Sequence, residues 1–451
     1  MNSEIFEKAS PTKLFFRCAV PSMISMAVGS LYSVADGIFV GQFIGENALA
    51  AVNLVMPLIM MTFALSDMIA VGSSVQISIF LGQKEQELAC RTFTFSLKII
   101  LLISILFGAV GFIFAKQIVG LLSSGANEQA VKSAVEYLKV YAAFTPLTTL
   151  FFATDNYLRI CGKEKKSMAI GVVTQLLNIV LDFILIVVLK QGVWAAAFTS
   201  CITIALGSVI TVYMFSQRKL DLYYLEGNIT AKQFFKLVLN GSSEFFNNIA
   251  SSLMQLILNF CLLFYGGTTA VAAMSVVMYV ESIIGMLIFG MCDSLQPAIS
   301  YCYGSGNIKK VKALEKRVLI GAMALSFLAL IFMRYAGSYV APFFIKQGDT
   351  KLLDMSLSAM KLFSFSYLVG WVDMCLSSYF TALERPIRSF IVSILGTVFF
   401  PLVSLLVMSY LFELNGIWLM PTLAGTLSAI VTIMLALSIK YNVKSSVLEN
   451  N

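Results

Sequence analysis

The sequence contains no histidine, and charged residues make up only 12% of its 451 positions. Its eight cysteines are scattered without a Cys-x-x-Cys pair, so the sequence offers neither the ligands of a zinc site nor a disulfide framework. Hydrophobic residues, in contrast, account for 59% of the chain, and the mean hydropathy is +0.87. A soluble protein cannot hide so much apolar surface, and we therefore predict that the chain lies in a lipid bilayer.

Apolar stretches long enough to cross a bilayer recur along the whole chain. A membrane-spanning helix needs about 20 predominantly apolar residues, and twelve such stretches predict an all-α integral membrane fold. Short gaps between them leave no room for a soluble domain, so we predict no catalytic residues and no enzyme activity. The predicted spans are 14–38, 47–75, 92–115, 136–158, 167–189, 193–215, 236–265, 271–300, 313–340, 356–383, 389–411 and 416–440.

The net charge of +7 is compatible with a nucleic-acid partner, but the placement of the charges indicates a membrane protein instead. Most Lys and Arg residues fall on one side of the predicted membrane, as in the segments that follow helices 4 and 8. We predict that both termini are cytoplasmic and that the protein is a monomer in a bacterial plasma membrane. No nucleic-acid partner and no cofactor are expected.

The two halves of the sequence repeat one design. When the second half is aligned with the first at a constant offset, Tyr379 falls on Tyr157 and Ser389 falls on Ser167. Each half holds six predicted helices, so both halves begin on the same side of the membrane and are related by a parallel pseudo-two-fold axis. Such repeats are typical of secondary transporters, although a duplication can also occur without transport. We predict an N-lobe of helices 1–6 (residues 1–220) and a C-lobe of helices 7–12 (residues 221–451).

Two aspartates of the first half lie where a charged side chain is costly, at least about 2.5 kcal/mol by insertion scales. Asp36 and Asp182 each lie within an apolar stretch of the sequence. Asn178 precedes Asp182 by one helical turn, so the two side chains share a helix face. Two carboxylates that meet in a dry pocket repel each other, and either a sodium ion or a proton would relieve that repulsion. The alternative is that these residues only hydrogen-bond neighbouring helices and fix their packing.

Other acidic residues at membrane depth belong to the second half. They are candidates for attracting a cationic substrate: Glu244, Glu281, Asp293 and Asp373. In the first half, Asp155 lies among basic residues at the end of helix 4, and the alternative for it is a simple ion pair.

Several motifs together resemble the multidrug and toxic compound extrusion (MATE) family of secondary transporters over almost the whole chain. They are VADGIFVGQFIGENALAAV, LNIVLD, LRICGKEKKS and QPAISYCYGSGNIKKV. The resemblance implies two six-helix lobes that export organic, often cationic, compounds in exchange for Na⁺ or H⁺. It also implies a coupling-ion site, with Na⁺ as one candidate ion, at Asp36, Asn178 and Asp182 with a hydroxyl from Ser200.

A second function within the same superfamily is a flippase for lipid-linked oligosaccharides or other lipids. Such a protein should present buried Arg or Lys to an anionic head group, whereas the buried charges here are nearly all acidic. The sequence therefore favours a cation-coupled exporter of small organic molecules. It does not distinguish Na⁺ from H⁺ or identify the compound.

Overall fold

The computed structural model describes residues 2–122, 128–343, 345 and 350–439, and the regular secondary structure within these ranges is helical. The helices of the first half are α1 (Ile5–Lys8), α2 (Pro11–Phe39), α3 (Glu46–Gly82), α4 (Gln86–Ile113), α5 (Ala115–Leu122), α6 (Glu128–Ile160), α7 (Glu164–Asp182) and α8 (Val193–Ser216). Those of the second half are α9 (Ala231–Ser294), α10 (Gln296–Gly304), α11 (Ile308–Tyr335), α12 (Gly337–Val340), α13 (Thr350–Phe363), α14 (Gly370–Ala382), α15 (Pro386–Ile394) and α16 (Phe400–Leu437). Three π-helical segments follow α2, α7 and α15: Val40–Ile44, Phe183–Val188 and Leu395–Phe399.

The number of membrane-crossing helices agrees with the sequence prediction. Eight helices of the described residues are long and apolar enough to cross, and the bent pair Thr350–Leu368 and Gly370–Ala382 makes a ninth. Two of the eight contain 74 and 52 residues, roughly 110 and 80 Å of helix, which is far more than one crossing requires. Each consists of two helices joined at a residue with positive φ, Gly267 (65°) or Glu413 (50°). With the more polar α6, the described residues contain the twelve predicted crossings.

The break at Glu413 is a tight reversal of the chain. A Cβ atom on Gly416 would lie only 1.8 Å from the carbonyl oxygen of Met408. Along a straight helix these two residues would be about 12 Å apart. Glycine at 416 therefore permits the backbone contact that closes the turn, which falls in the gap predicted between spans 389–411 and 416–440.

The chain packs as two compact units. The first contains Met1–Ala9 and Ile24–Phe245, and the second contains Ser10–Met23 and Phe246–Asn451. Helix α2 therefore contributes its first turns to the second unit and its remaining turns to the first. The division of the chain into functional lobes at residues 220 and 221 stays a prediction.

Paired hydroxyl groups connect the helices of the first unit. Ser104 of α4 and Thr149 of α6 lie 2.6 Å apart, and Thr154 of α6 lies 2.7 Å from Thr211 of α8. All four side chains are buried. Helices in a bilayer gain little from the hydrophobic effect when they associate, so such hydrogen bonds and close packing hold them together.

A charged network joins the end of α6 to the start of α7. Arg159 donates to Asp155 at 2.8 Å, and the hydroxyl of Ser167 also donates to Asp155, so the ion-pair alternative for Asp155 is confirmed. The second half forms a neutral network of hydroxyl groups at the equivalent positions of the repeat. Its members are Ser377, Thr381 and Ser389. The same three positions of the repeat are therefore connected in both halves, by an ion pair in the first half and by hydroxyl groups in the second.

Two glycines bring the backbones of α3 and α9 together within the first unit. A Cβ atom on Gly72 would lie 2.1 Å from the carbonyl oxygen of Leu237, and one on Gly241 would lie 1.8 Å from that of Met68. No side chain fits at either position unless the backbone moves. The crossing of these two helices therefore depends on glycine on both of them.

We predict that Gly241→Ala lowers the free energy of unfolding by about 1–3 kcal/mol, because the added methyl group overpacks a backbone contact. The midpoint of thermal unfolding in detergent measures the effect. Gly120→Ala in α5 is the matched control, since a Cβ there meets nothing within 4 Å and alanine is the better helix former. Equal losses of stability in both variants would contradict this account of the crossing.

Candidate functional site

The two aspartates of the first half each stand next to a π-helical segment. Asp36 lies in the last turn of α2, one turn before Val40–Ile44, and Asp182 is the last residue of α7, directly before Phe183–Val188. A π segment locally changes the rotation of a helix and occurs frequently at functional sites. Both aspartates belong to the first unit.

The four residues that the sequence and the resemblance nominated for an ion site lie together. The carboxyl groups of Asp36 and Asp182 are within hydrogen-bonding reach of each other. The amide of Asn178 donates to the hydroxyl of Ser200 at 3.3 Å. Asn178, Asp182 and Ser200 are buried, at 2%, 0% and 5% exposure. Helices α2, α7 and α8 thus bring their polar side chains into one interior pocket.

Hydroxyl groups that sequence reasoning did not nominate complete the pocket. The hydroxyl of Thr199 donates a hydrogen bond to Asp182, and the phenol of Tyr32 lies 3.0 Å from the hydroxyl of Ser200. Tyr137 and Tyr141 of α6 stack with ring centroids 6.1 Å apart and lie close enough to Asp36 to interact electrostatically. The only signal in the sequence is spacing, because Tyr32 precedes Asp36 by one helical turn.

Three buried oxygen atoms of this pocket accept no hydrogen bond from the described residues. They are Oδ1 of Asp36, Oδ1 of Asn178 and Oδ2 of Asp182. Neither aspartate forms an ion pair with a Lys or Arg of the described residues. A buried acceptor without a donor is costly, and two carboxylates side by side are more costly still. The pocket therefore suits a small cation or a proton, which would satisfy these oxygens.

The composition of the pocket indicates which cations fit. Its ligands would be carboxylate, amide and hydroxyl oxygens, which hard cations prefer. The described residues contain no group of three or more His, Cys, Asp or Glu that could hold a metal ion. Any cation here would therefore rely on the neutral oxygens of Asn178 and Ser200 in addition to the two carboxylates.

Two of the predicted substrate-binding candidates have different surroundings in the second unit. Asp373 of α14 accepts a hydrogen bond from Thr432 of α16 at 2.7 Å, and its carboxylate lies near Ser428. Glu281, in the second helix of α9, accepts no hydrogen bond from the described residues. It lies close to the phenol of Tyr367, which is buried and also has no hydrogen-bond partner among them. Asp373 is thus satisfied within the protein, whereas Glu281 is not.

The other two candidates, Glu244 and Asp293, lie on α9. Glu244 is half-buried, in the part of α9 that packs with the first unit, close to the Gly241 crossing. Asp293 is half-buried near the end of α9, in the second unit. Both have interactions within the protein. Their role in binding a substrate stays a prediction.

A comparison with protein families identifies this architecture. The MatE family model matches the chain twice, at residues 21–184 and 245–406. The chain belongs to the MatE family. The second match lies at nearly the same offset from the first as Tyr379 lies from Tyr157, so the two matches coincide with the repeat read from the sequence. The family resemblance predicted from the motifs is therefore confirmed.

Relatives of this MatE protein align with it along nearly its full length. The multidrug export protein MepA of Staphylococcus haemolyticus is 24% identical over 439 residues, which cover 96% of this chain and 95% of the relative. An FAD transporter of Shewanella oneidensis is 21% identical over 452 residues, with 96% of each chain covered.

Solved structures share the fold of this MatE protein. A crystal structure of MATE in complex with MaL6 superposes with a TM-score of 0.89 at 23% identity, covering 96% of this chain and 97% of the other. A MOP superfamily transporter from Pyrococcus furiosus, described as having a binding pocket of reverse polarity, superposes with a TM-score of 0.88 at 24% identity and 96% coverage of each chain. The twelve-helix, two-lobe prediction is confirmed by this likeness.

We predict that Thr199→Val destabilises the protein by about 1–3 kcal/mol, because Asp182 loses its hydroxyl donor in a buried site. The variant keeps the shape of the side chain and removes only the hydrogen bond. Thermal unfolding in detergent measures the loss, and Thr199→Ser, which keeps the hydroxyl, should retain most of the stability. If valine and serine behaved alike, the hydrogen bond to Asp182 would carry no stability.

Proposed function

We propose that this MatE protein is a cation-coupled antiporter that exports small organic, cationic compounds. The observation that carries the proposal is the set of three donor-free buried oxygens at Asp36, Asn178 and Asp182. Functional polar residues in a membrane protein offset the cost of their burial when they bind an ion or a proton. A purely structural role would instead pair each of these oxygens with a donor from the protein.

The same geometry supports Na⁺ or H⁺ as the coupling ion, bound by Asp36, Asn178, Asp182 and Ser200. A cation bound there removes the repulsion between the two carboxylates and stabilises the conformation in which they are adjacent. A conformation that separates the two aspartates would release the ion. Ion binding therefore favours one state of the transporter, and substrate binding favours the other, which is the thermodynamic basis of exchange.

Two arguments support an organic cation as the cargo. The carboxylate of Glu281 accepts no hydrogen bond from the described residues and lies close to the buried phenol of Tyr367, so a cationic group would offset the cost of its burial. MepA, which aligns along nearly the whole chain, carries the name multidrug export protein. We propose the plasma membrane of a bacterium, cytoplasmic termini and a monomer as the setting.

A lipid flippase is the less favoured function. It would need basic side chains for the phosphates of its substrate, whereas the polar pocket of the first unit is acidic and forms no ion pair with Lys or Arg of the described residues. One relative is named as an FAD transporter, and FAD carries a pyrophosphate group, but among the described residues the pocket of the first unit in this chain offers only acidic and neutral side chains. The polarity of the pockets therefore favours a cationic cargo.

We predict that Asp36→Asn combined with Asp182→Asn abolishes gradient-driven export, because neutral amides no longer attract the coupling ion. Efflux of a fluorescent cationic dye from proteoliposomes, with sodium and proton gradients imposed separately, measures this loss. The gradient that drives the wild type identifies the ion. Asp354→Asn, at an exposed position of α13, is the control for loss of a carboxylate and should export normally.

Two outcomes would count against the proposal. Gradient-driven efflux that survives in the folded double variant would remove Asp36 and Asp182 from the coupling mechanism. Failure of the correctly oriented wild type to move any cationic dye, under either gradient, would point to a neutral or anionic cargo.

We predict that Glu281→Gln raises the half-saturating concentration of a cationic dye at least about tenfold, because a charge-assisted contact is worth about 1.5–3 kcal/mol. The maximal rate at saturating dye and the dependence on the ion gradient should change little, since the ion site is intact. Asp373→Asn is the comparison, because Asp373 already has a partner in Thr432. An unchanged half-saturating concentration in Glu281→Gln would exclude Glu281 from the cargo site.

A further inference from the structure

One face of α11 combines exposed lysines with an exposed apolar strip. Lys309, Lys312 and Lys316 follow each other at helical spacing, so they share one side of the first turns, and all three are exposed. The same spacing continues into apolar residues on the same side. These residues are Ile320, Met323, Phe327 and Ile331, at 50%, 52%, 56% and 40% exposure.

The opposite side of α11 is the packed side. Its buried residues include Val311, Leu314, Val318 and Ala322. Helix α11 therefore has one side packed against the protein and one side exposed, and the lysines and the apolar strip lie together on the exposed side.

The dimensions of this face match those of one phospholipid molecule. The three lysines span about 10 Å of helix, and the apolar strip from Ile320 to Ile331 spans about 16 Å. Half of the hydrocarbon core of a bilayer is about 15 Å thick. A lipid lying along the strip would therefore place its phosphate beside the lysines and its acyl chains on the apolar residues.

A neighbouring segment adds further positive charge. Arg317 donates to the hydroxyl of Thr12 at 3.0 Å, and this hydrogen bond holds the start of α2 against α11 within the second unit. The next residue, Lys13, is exposed. Basic side chains next to the end of a membrane-spanning helix attract anionic headgroups.

The first half of the repeat lacks this arrangement. At the positions equivalent to the three lysines it has Glu87, Cys90 and Thr94. Cys90 and Thr94 are buried, and Glu87 forms an ion pair with Arg91. The lysine face is therefore a feature of α11 that the equivalent helix of the first half, α4, does not share.

We propose that this face of α11 binds an anionic phospholipid, with the headgroup on Lys309, Lys312 and Lys316 and the acyl chains along Ile320 to Ile331. The surface selects for negative charge through the lysines and for a lipid through the apolar strip. On the predicted topology, the lipid belongs to the cytoplasmic leaflet. The proposal does not depend on the ion or on the cargo that the protein transports.

Native mass spectrometry of the purified full-length protein, released from detergent, tests this site. The protein is titrated with phosphatidylglycerol and with phosphatidylcholine, and the dissociation constant of the first bound lipid is measured. We expect the wild type to bind phosphatidylglycerol at least about tenfold more tightly than phosphatidylcholine, since each lysine near a headgroup contributes about fivefold. Combined Lys309→Gln, Lys312→Gln and Lys316→Gln should remove most of this preference.

A second variant controls for the loss of charge. The control variant combines Lys163→Gln, Lys165→Gln and Lys166→Gln. It removes three positive charges between α6 and the first turn of α7 and should keep the preference for phosphatidylglycerol. An equal loss in both variants, no loss in the α11 variant, or no preference in the wild type would each overturn the proposal.

Glycerophosphoglycerol, which has the headgroup without acyl chains, should not compete at lipid concentrations. Effective competition by it would show a simple anion site instead and would likewise overturn the proposal.

Discussion

Two neighbouring carboxyl groups with no basic partner among the described residues are the constraint on which the first unit depends. Asp36 and Asp182 come from different helices and are within hydrogen-bonding reach of each other. Their repulsion in a medium of low dielectric constant opposes the packing of α2 against α7 unless a positive charge or a shared proton offsets it. Thr199 donates to one oxygen of Asp182, and Oδ1 of Asp36, Oδ1 of Asn178 and Oδ2 of Asp182 accept no hydrogen bond from the described residues.

The repeat shows how one helical framework carries two chemistries. The two matches to the MatE model fall in the two six-helix halves at nearly a constant offset. The network of Asp155, Arg159 and Ser167 becomes a network of hydroxyl groups in the second half. Position 182 carries aspartate, whereas its equivalent in the second half is Ser404. The side-chain hydrogen bonds recur at equivalent positions, and the charged side chains differ.

Hydropathy was sufficient to predict the helices, because a bilayer requires about 20 apolar residues at each crossing whatever the rest of the fold does. The position of Asp36 and Asp182 within such stretches was sufficient to nominate them, since charge at that depth is costly. Thr199, Tyr32 and Tyr137 could not be nominated in this way. Hydroxyl and aromatic residues are common in membrane helices, and only the packing of helices decides which of them reach the pocket. The sequence likewise does not distinguish Asp373 from Glu281 in the second unit. Both are acidic residues in apolar stretches, and only the structure shows that Thr432 donates to Asp373.

The proposed ion site lies in the first unit, and Glu281 lies in the second. The two sites share no residue, so an ion and a cargo would not exchange by direct competition for the same oxygens. Coupling between them would require two conformations whose equilibrium both ligands change, each by its own difference in affinity. Helices α2 and α9 each continue from one unit into the other, so they are covalent connections through which such a change of conformation can be coupled.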